Sequence, residues 1–122
     1  MGELPNKIKK MAHFPKYILK KSSNLQFVWV LHAINGEVIL PSSETYVSKQ
    51  GALNGIASSK RNVADVNFLR KTATSGQPYF LQVAGNGEPL GRSEMYNSIQ
   101  ARENGIAAVK RDAPNAEIED LT

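Results

Sequence analysis

The chain has 122 residues, a length that fits one domain with a single shared core. It has no cysteine, which excludes disulfide staples and thiolate metal sites, and no apolar run near the roughly 20 residues that a bilayer crossing needs. The net charge of +4 is unevenly placed: Lys7, Lys9, Lys10, Lys16, Lys20 and Lys21 crowd the start, while Asp112, Glu117, Glu119 and Asp120 make the end acidic. The N-terminus lacks the apolar stretch of a signal peptide, so the expectation is a cytoplasmic protein.

Residues 1–13 show no apolar period and contain Pro5. They read as a flexible basic arm, with Met11 as an alternative start to Met1. Phe14 to Lys21 reads as a first strand, followed by the turn signal Ser22-Ser23-Asn24. Leu25 to Ile34 is rich in β-branched and aromatic residues, as strands are. Phe27, Trp29, Leu31 and Ala33 give it a fully apolar face, and Gln26, Val28, Val30 and His32 a mixed one. Asn35-Gly36 between apolar runs predicts a hairpin, since both turn positions tolerate positive φ. Glu37 to Ser42 is the third strand, with Pro41 placing it at an edge, an end or a bulge.

A helix is predicted from Lys49 to about Asn62, with Ser48 as its N-cap. Ala52, Leu53, Ile56 and Ala57 share one face, and Lys60 and Arg61 suit the last turn. Asn54-Gly55 is a turn dipeptide inside this helix. No β-rich run flanks it, so the helix is expected to continue through it.

The programme then repeats. Ser43–Asn62 (SETYVSKQGALNGIASSKRN) and Ser93–Asp112 (SEMYNSIQARENGIAAVKRD) align without a gap and share about half of their positions, the mark of an internal repeat. Strands are expected at 66–72, 78–84 and 88–92, a hairpin at Asn86-Gly87, and a helix from Ile99 to about Arg111 capped by Ser98. Residues 116–121 are expected to form a short extended tail. The second copy is one residue shorter before its helix, which predicts a bulge in one copy. Repeat 1 is placed at 14–64 and repeat 2 at 65–122, the two forming one domain. The fold class expected is α+β: tandem β-β-β-α units, about six strands in one antiparallel sheet, and two helices on one face.

The NGEVI hairpin followed by SExYxSKxxALNGIASxKRN, present twice in tandem and ending in DLT, resembles the YegP-like family of small, mainly bacterial proteins. The resemblance covers residues 14–122 and implies a single sheet in which each helix is exchanged onto the other repeat's strands. It implies no activity, cofactor or catalytic residue. Copy two departs from the pattern at Glu88-Pro89-Leu90-Gly91, where a less regular third strand is expected.

The repeat-defining residues are Asn35, Gly36, Ser43, Glu44, Tyr46, Asn54, Gly55 and Ile56, with Asn86, Gly87, Ser93, Glu94, Tyr96, Asn104, Gly105 and Ile106. A mid-helix glycine costs about 1 kcal/mol against alanine, and here it occurs in both copies. Gly55 and Gly105 therefore mark a close approach rather than a backbone contact to a ligand. Ser43, Glu44 and Tyr46, like Ser93, Glu94 and Tyr96, could supply hydroxyl, base and phenol. Their presence in both copies favours a role at the strand-to-helix junction. His13 and His32 lack ligand spacing, and no phosphate loop or catalytic triad is visible. The expected function is a non-enzymatic binding or structural module, a monomer that is its own pseudo-dimer, without metal or cofactor. The alternative is weak, sequence-tolerant nucleic-acid binding through Lys7, Lys9, Lys10, Lys16, Lys20 and Lys21, helped by the Lys60-Arg61 and Lys110-Arg111 pairs.

Overall fold

The structure is a computed structural model that describes residues 14–122. The first half runs β1 (Lys16–Lys21), β2 (Phe27–His32), β3 (Val38–Pro41) and α1 (Lys49–Arg61). The second runs β4 (Phe68–Thr72), β5 (Pro78–Val83), β6 (Pro89–Arg92) and α2 (Ile99–Asp112), and a last strand, β7 (Glu117–Asp120), follows. Both helices pass unbroken through their Asn-Gly pair. Ser48 Oγ accepts the Gly51 N–H and Ser98 Oγ accepts the Ala101 N–H, so each helix start has the cap its sequence signals.

The expected hairpins form at both Asn-Gly pairs, joining β2 to β3 and β5 to β6. Gly36 and Gly87 take positive φ, but neither Asn35 nor Asn86 does. The Gly36 N–H donates to the Ala33 carbonyl and the Ala33 N–H to the Glu37 carbonyl. That makes a three-residue loop closed by a left-handed glycine, a shape whose twist also suits a hairpin. The Asn35 side chain accepts the Glu37 N–H at 3.0 Å, and Asn86 does the same for Glu88. The same loop recurs at Ala73–Gln77 with Gly76, and at Ser22–Gln26 with Leu25 in the glycine's place.

The strands form two sheets, not the single six-stranded sheet expected: β3-β2-β1-β7 and β4-β5-β6. They meet edge to edge through one bridge, Ser42 with Gly91, and a 3.1 Å bond from the Ser43 N–H to the Leu90 carbonyl. β3 and β6 are only four residues each. The extended tail is a true strand, and it pairs parallel to β1.

The helices are not traded outright between halves. α1 packs on β2 of its own half and β6 of the other, and α2 on β5 and β3, so each straddles the seam. Beneath them lies one core, built from Tyr17, Leu19, Trp29, Leu31, Leu40 and Ile56 together with Phe68, Phe80, Ile106 and Val109. The Tyr17 and Trp29 rings meet edge-on at 5.3 Å, and their counterparts Phe68 and Phe80 at 5.9 Å.

Bonding corrects the gapless alignment by one position. The Ser42 N–H donates to the Trp29 carbonyl and Ser42 Oγ accepts the Trp29 N–H; Ser93 does both for Phe80. Ser42, not Ser43, is thus the counterpart of Ser93. The missing residue falls in the link to the helix, where residues 43–45 are answered by 94–95. The register shift expected in one copy occurs in both, at Leu31/His32 and at Gln82/Val83. By the same count Leu40 corresponds to Gly91. A Cβ on Gly91 would lie 2.5 Å from Leu40 Cγ, so the leucine fills the space its twin leaves empty.

Candidate binding surface

The paired glycines are explained by the tyrosines that precede the helices. A Cβ on Gly55 would come within 2.9 Å of Tyr46 Cζ, and one on Gly105 within 2.8 Å of Tyr96 Cζ. Each phenol lies flat against a helix whose backbone is bared for it. Tyr96 also stacks on Phe80, with planes 9° apart. Burial pushes the pKa of both phenols up; at Tyr46 the Trp29 indole opposes this, while Glu44 adds to it. Trp29 Nε1 is buried and makes no hydrogen bond of sound geometry among the described residues.

The serines and glutamates beside these tyrosines do other work. Ser93 Oγ donates to the Glu94 carbonyl and Ser42 Oγ to the Glu44 carbonyl, tying the strand-to-helix link together. Glu44 and Glu94 are exposed. The SExY side chains therefore do not converge as an acid–base constellation in either half.

The basic candidates also separate. Lys7, Lys9 and Lys10, with His13, lie outside the described residues. Lys16 is 7% exposed and bonds Glu119 at 2.7 Å, so it is not available to a phosphate. Lys60 donates to the Ala116 carbonyl, Lys110 pairs with Asp65 and Arg111 with Asp112. Both helix-end pairs thus lose cations to internal contacts. Lys20 and Lys21 stay exposed on opposite faces of β1. His32 Nδ1–H donates to the Gly36 carbonyl at 2.8 Å and the ring packs on Phe14, so it is a structural histidine.

What the sequence did not single out is the sheet face that the helices leave uncovered. Directly paired residues project to the same side of a sheet. Ile18 pairs with Val30 and Lys20 with Val28; Leu69 pairs with Leu81 and Lys71 with Tyr79; Val30 pairs with Pro41 and Leu81 with Arg92. Since Tyr17, Leu19, Phe80 and Gln82 face the core, these residues form the opposite face. It is half-buried aliphatic at its centre and carries Lys20, Lys71 and Arg92; its acidic residues, Glu117 and Glu119, lie on the outer strand β7 beside Lys16 and Ile18, and none projects onto it from β1 to β6. The Arg92 guanidinium lies over the Tyr79 ring at 4.8 Å. A groove of about 260 Å³ opens at the seam, lined by Val38, Ile39, Pro41, Arg92, Ser93 and Glu94.

Comparison with known proteins decides the family. The model of DUF1508, a domain of unknown function, matches twice, over residues 22–68 and 73–120. A UPF0339 protein of Bordetella pertussis is 50% identical over 107 residues, 87% of this chain and 96% of the relative. The chain belongs to the YegP-like UPF0339 family. The YegP protein of Escherichia coli K12 is 45% identical over 105 residues, 85% of this chain and 94% of its own. Two UPF0339 solution structures superpose on this fold, each with a TM-score of 0.82. One, from Shewanella oneidensis, is 45% identical and covers 88% of this chain and 91% of its own. The other, YegP of E. coli, described as of unknown function, is 44% identical and covers 88% and 92%. The UPF0339 family is thus of unknown function and bacterial in these relatives, as the repeated motif implied. No helix among the described residues is long and apolar enough to cross a membrane.

Proposed function

We propose that this chain is a non-enzymatic binding module, a monomer that serves as its own pseudo-dimer, and that its working surface is the uncovered sheet face. One observation carries this reading: an aliphatic, partly exposed face bearing Lys20, Lys71 and Arg92, whose carboxylates, Glu117 and Glu119, are confined to the outer strand β7, where Glu119 is paired with Lys16. A chain that needed only to fold would gain by making such a face polar throughout. The helix side offers less, since its motif residues are engaged in holding the fold. A photo-crosslinking residue at Val30 or Leu81 is expected to capture a partner from a bacterial lysate, and one at Gln50 or Gln100 on the helices is not. Capture from the helices alone, or from neither side, overturns the assignment.

A second reading, nucleic-acid binding by residues 1–13 with Lys16, Lys20 and Lys21, finds support in one described residue. Lys20 shares the uncovered face and has no ion pair among the described residues. Deleting residues 1–13 is the test: unchanged oligonucleotide affinity at low salt removes the arm from the account.

A further inference from the structure

We propose that the uncovered sheet face binds single-stranded nucleic acid, with Arg92, Lys71 and Lys20 on the phosphates and bases stacked at Tyr79 and in the seam groove. The inference rests on the reading of that face as the working surface, and it names the occupant.

Charge chooses the polymer. Single-stranded nucleic acid offers a repeating anion and flat apolar bases, and proteins that hold it without sequence preference combine cations with stacking platforms. The face supplies both within a short span. Lys71 and Tyr79 are direct cross-strand partners, and Arg92 pairs with Leu81 two residues further along β5. The Arg92 guanidinium already lies over the Tyr79 ring, 4.8 Å from its centre, so a cation and an aromatic face stand together where a base can stack. Neither Lys71 nor Arg92 has an ion pair among the described residues. Contrast Arg70, the neighbour facing the other way, which is held by both Glu103 and Asp65. The alternation of the strand thus sends one cation to an internal network and the next to an open surface.

The seam groove begins at Arg92 and has Val38, Ile39 and Pro41 as its apolar wall. A base inserted there leaves its phosphate toward the guanidinium. Glu94 also lines the groove. It repels a phosphate and accepts a hydrogen bond from an exocyclic amine, which orients the base inward. An acidic peptide would also answer the cations, but the aliphatic strip and the stacked Tyr79–Arg92 pair favour a ligand with flat rings. A duplex is too stiff to present its bases to such a face.

The test is fluorescence anisotropy with dye-labelled single-stranded DNA and RNA and with the matching duplex, on the full chain at low and at physiological salt. Binding of single strands in preference to duplex, weakening with salt, is expected. Arg92→Glu and Tyr79→Ala should each lower affinity about tenfold, and Tyr79→Phe should leave it unchanged. Lys21→Glu on the opposite face is the charge-matched control and should change it much less. Amide shifts on titration should fall on β2, β5 and β6. Absence of binding at low salt, equal loss from Lys21→Glu, or shifts confined to the helices overturns the inference. The crosslinking arms separate its failure from that of the parent reading. Capture at Val30 or Leu81 that survives nuclease, with no oligonucleotide affinity, removes nucleic acid and leaves the face. No capture there removes both.

Discussion

Two equivalent places in the core are built from opposite chemistry. In the first, Tyr17 OH and Ser59 Oγ lie 2.7 Å apart, Ser59 donates to Gln82 Oε1 at 2.6 Å, and Gln82 Nε2 donates to the Ser59 and Asn62 carbonyls. All three side chains are buried, and burial drives the Tyr17 pKa well above the usual phenol value. In the second, the same positions hold Phe68, Val109 and Leu31. The elements that carry them correspond: β1, α1 and β5 in the first, β4, α2 and β2 in the second. One geometry therefore accepts a hydrogen-bonded chain or a hydrocarbon plug, provided every polar group in it is matched. The outer edges differ as well. β1 is covered by β7, with Lys49 gripping Asp120, whereas β4 is an open edge guarded by Arg70, Asp65 and Glu103.

The comparison breaks most sharply at Gln82. Gln82→Leu copies one member of the apolar set and strands two carbonyls and a hydroxyl, so a loss of about 3 kcal/mol is expected in urea unfolding. Adding Tyr17→Phe and Ser59→Val completes the copy and removes the stranded hydroxyls, so it should recover part of that loss, while the Ser59 and Asn62 carbonyls stay without their Gln82 donor. A neutral single substitution would mean the polar chain does not support the core. Next come the helix glycines. Gly55→Ala and Gly105→Ala each drive a Cβ into a half-buried phenol packed on the core, so each should cost about 2 kcal/mol despite alanine's better propensity. Unequal losses would show that the two tyrosines do not play one role. A smaller effect separates the two outer hairpins. Leu25 holds φ 66° where its counterpart Gly76 holds 89°, and it is 75% exposed. Leu25→Gly should raise stability by about 1 kcal/mol, read as a higher melting temperature.

The least effect is electrostatic. Lys49 and Thr122 hold Asp120 down to a pKa of about 2, and Lys110 and Arg70 hold Asp65 below its ordinary value. Depressed carboxylates contribute stability above the unfolded value of about 3.9, and that contribution fades as pH falls through their folded values. Carboxyl NMR titration should therefore show Asp120 still ionised at pH 3, with protection of the Leu121 amide lost only below that. An Asp120 midpoint near 4 would dissolve the pairing at the covered edge.

The repeat, the helices and most strand positions were legible because apolar spacing and capping residues act locally. What escaped were relations between distant residues. Ser43 outscored Ser42 by letter matching, and only the bonds to Trp29 and Phe80 reveal which serine matters. Leu40 and Gly91 look like an ordinary strand residue and a weak point until their contact is seen. β7 needed the acidic tail to be placed beside β1. The candidate surface was half legible: the mixed alternation of Val28, Val30 and His32 is plain in the chain. The stacking of Arg92 on Tyr79 is not, because it depends on the register of Leu81 against Arg92.

The Leu40–Gly91 contact has a consequence for ancestry. Two identical halves could not both bring a leucine to that spot, nor could two glycines fill it. Once the knob and its hollow were divided between the copies, neither half remained a good mate for itself. Severed at the linker, the fragments should seek each other and shun their own kind.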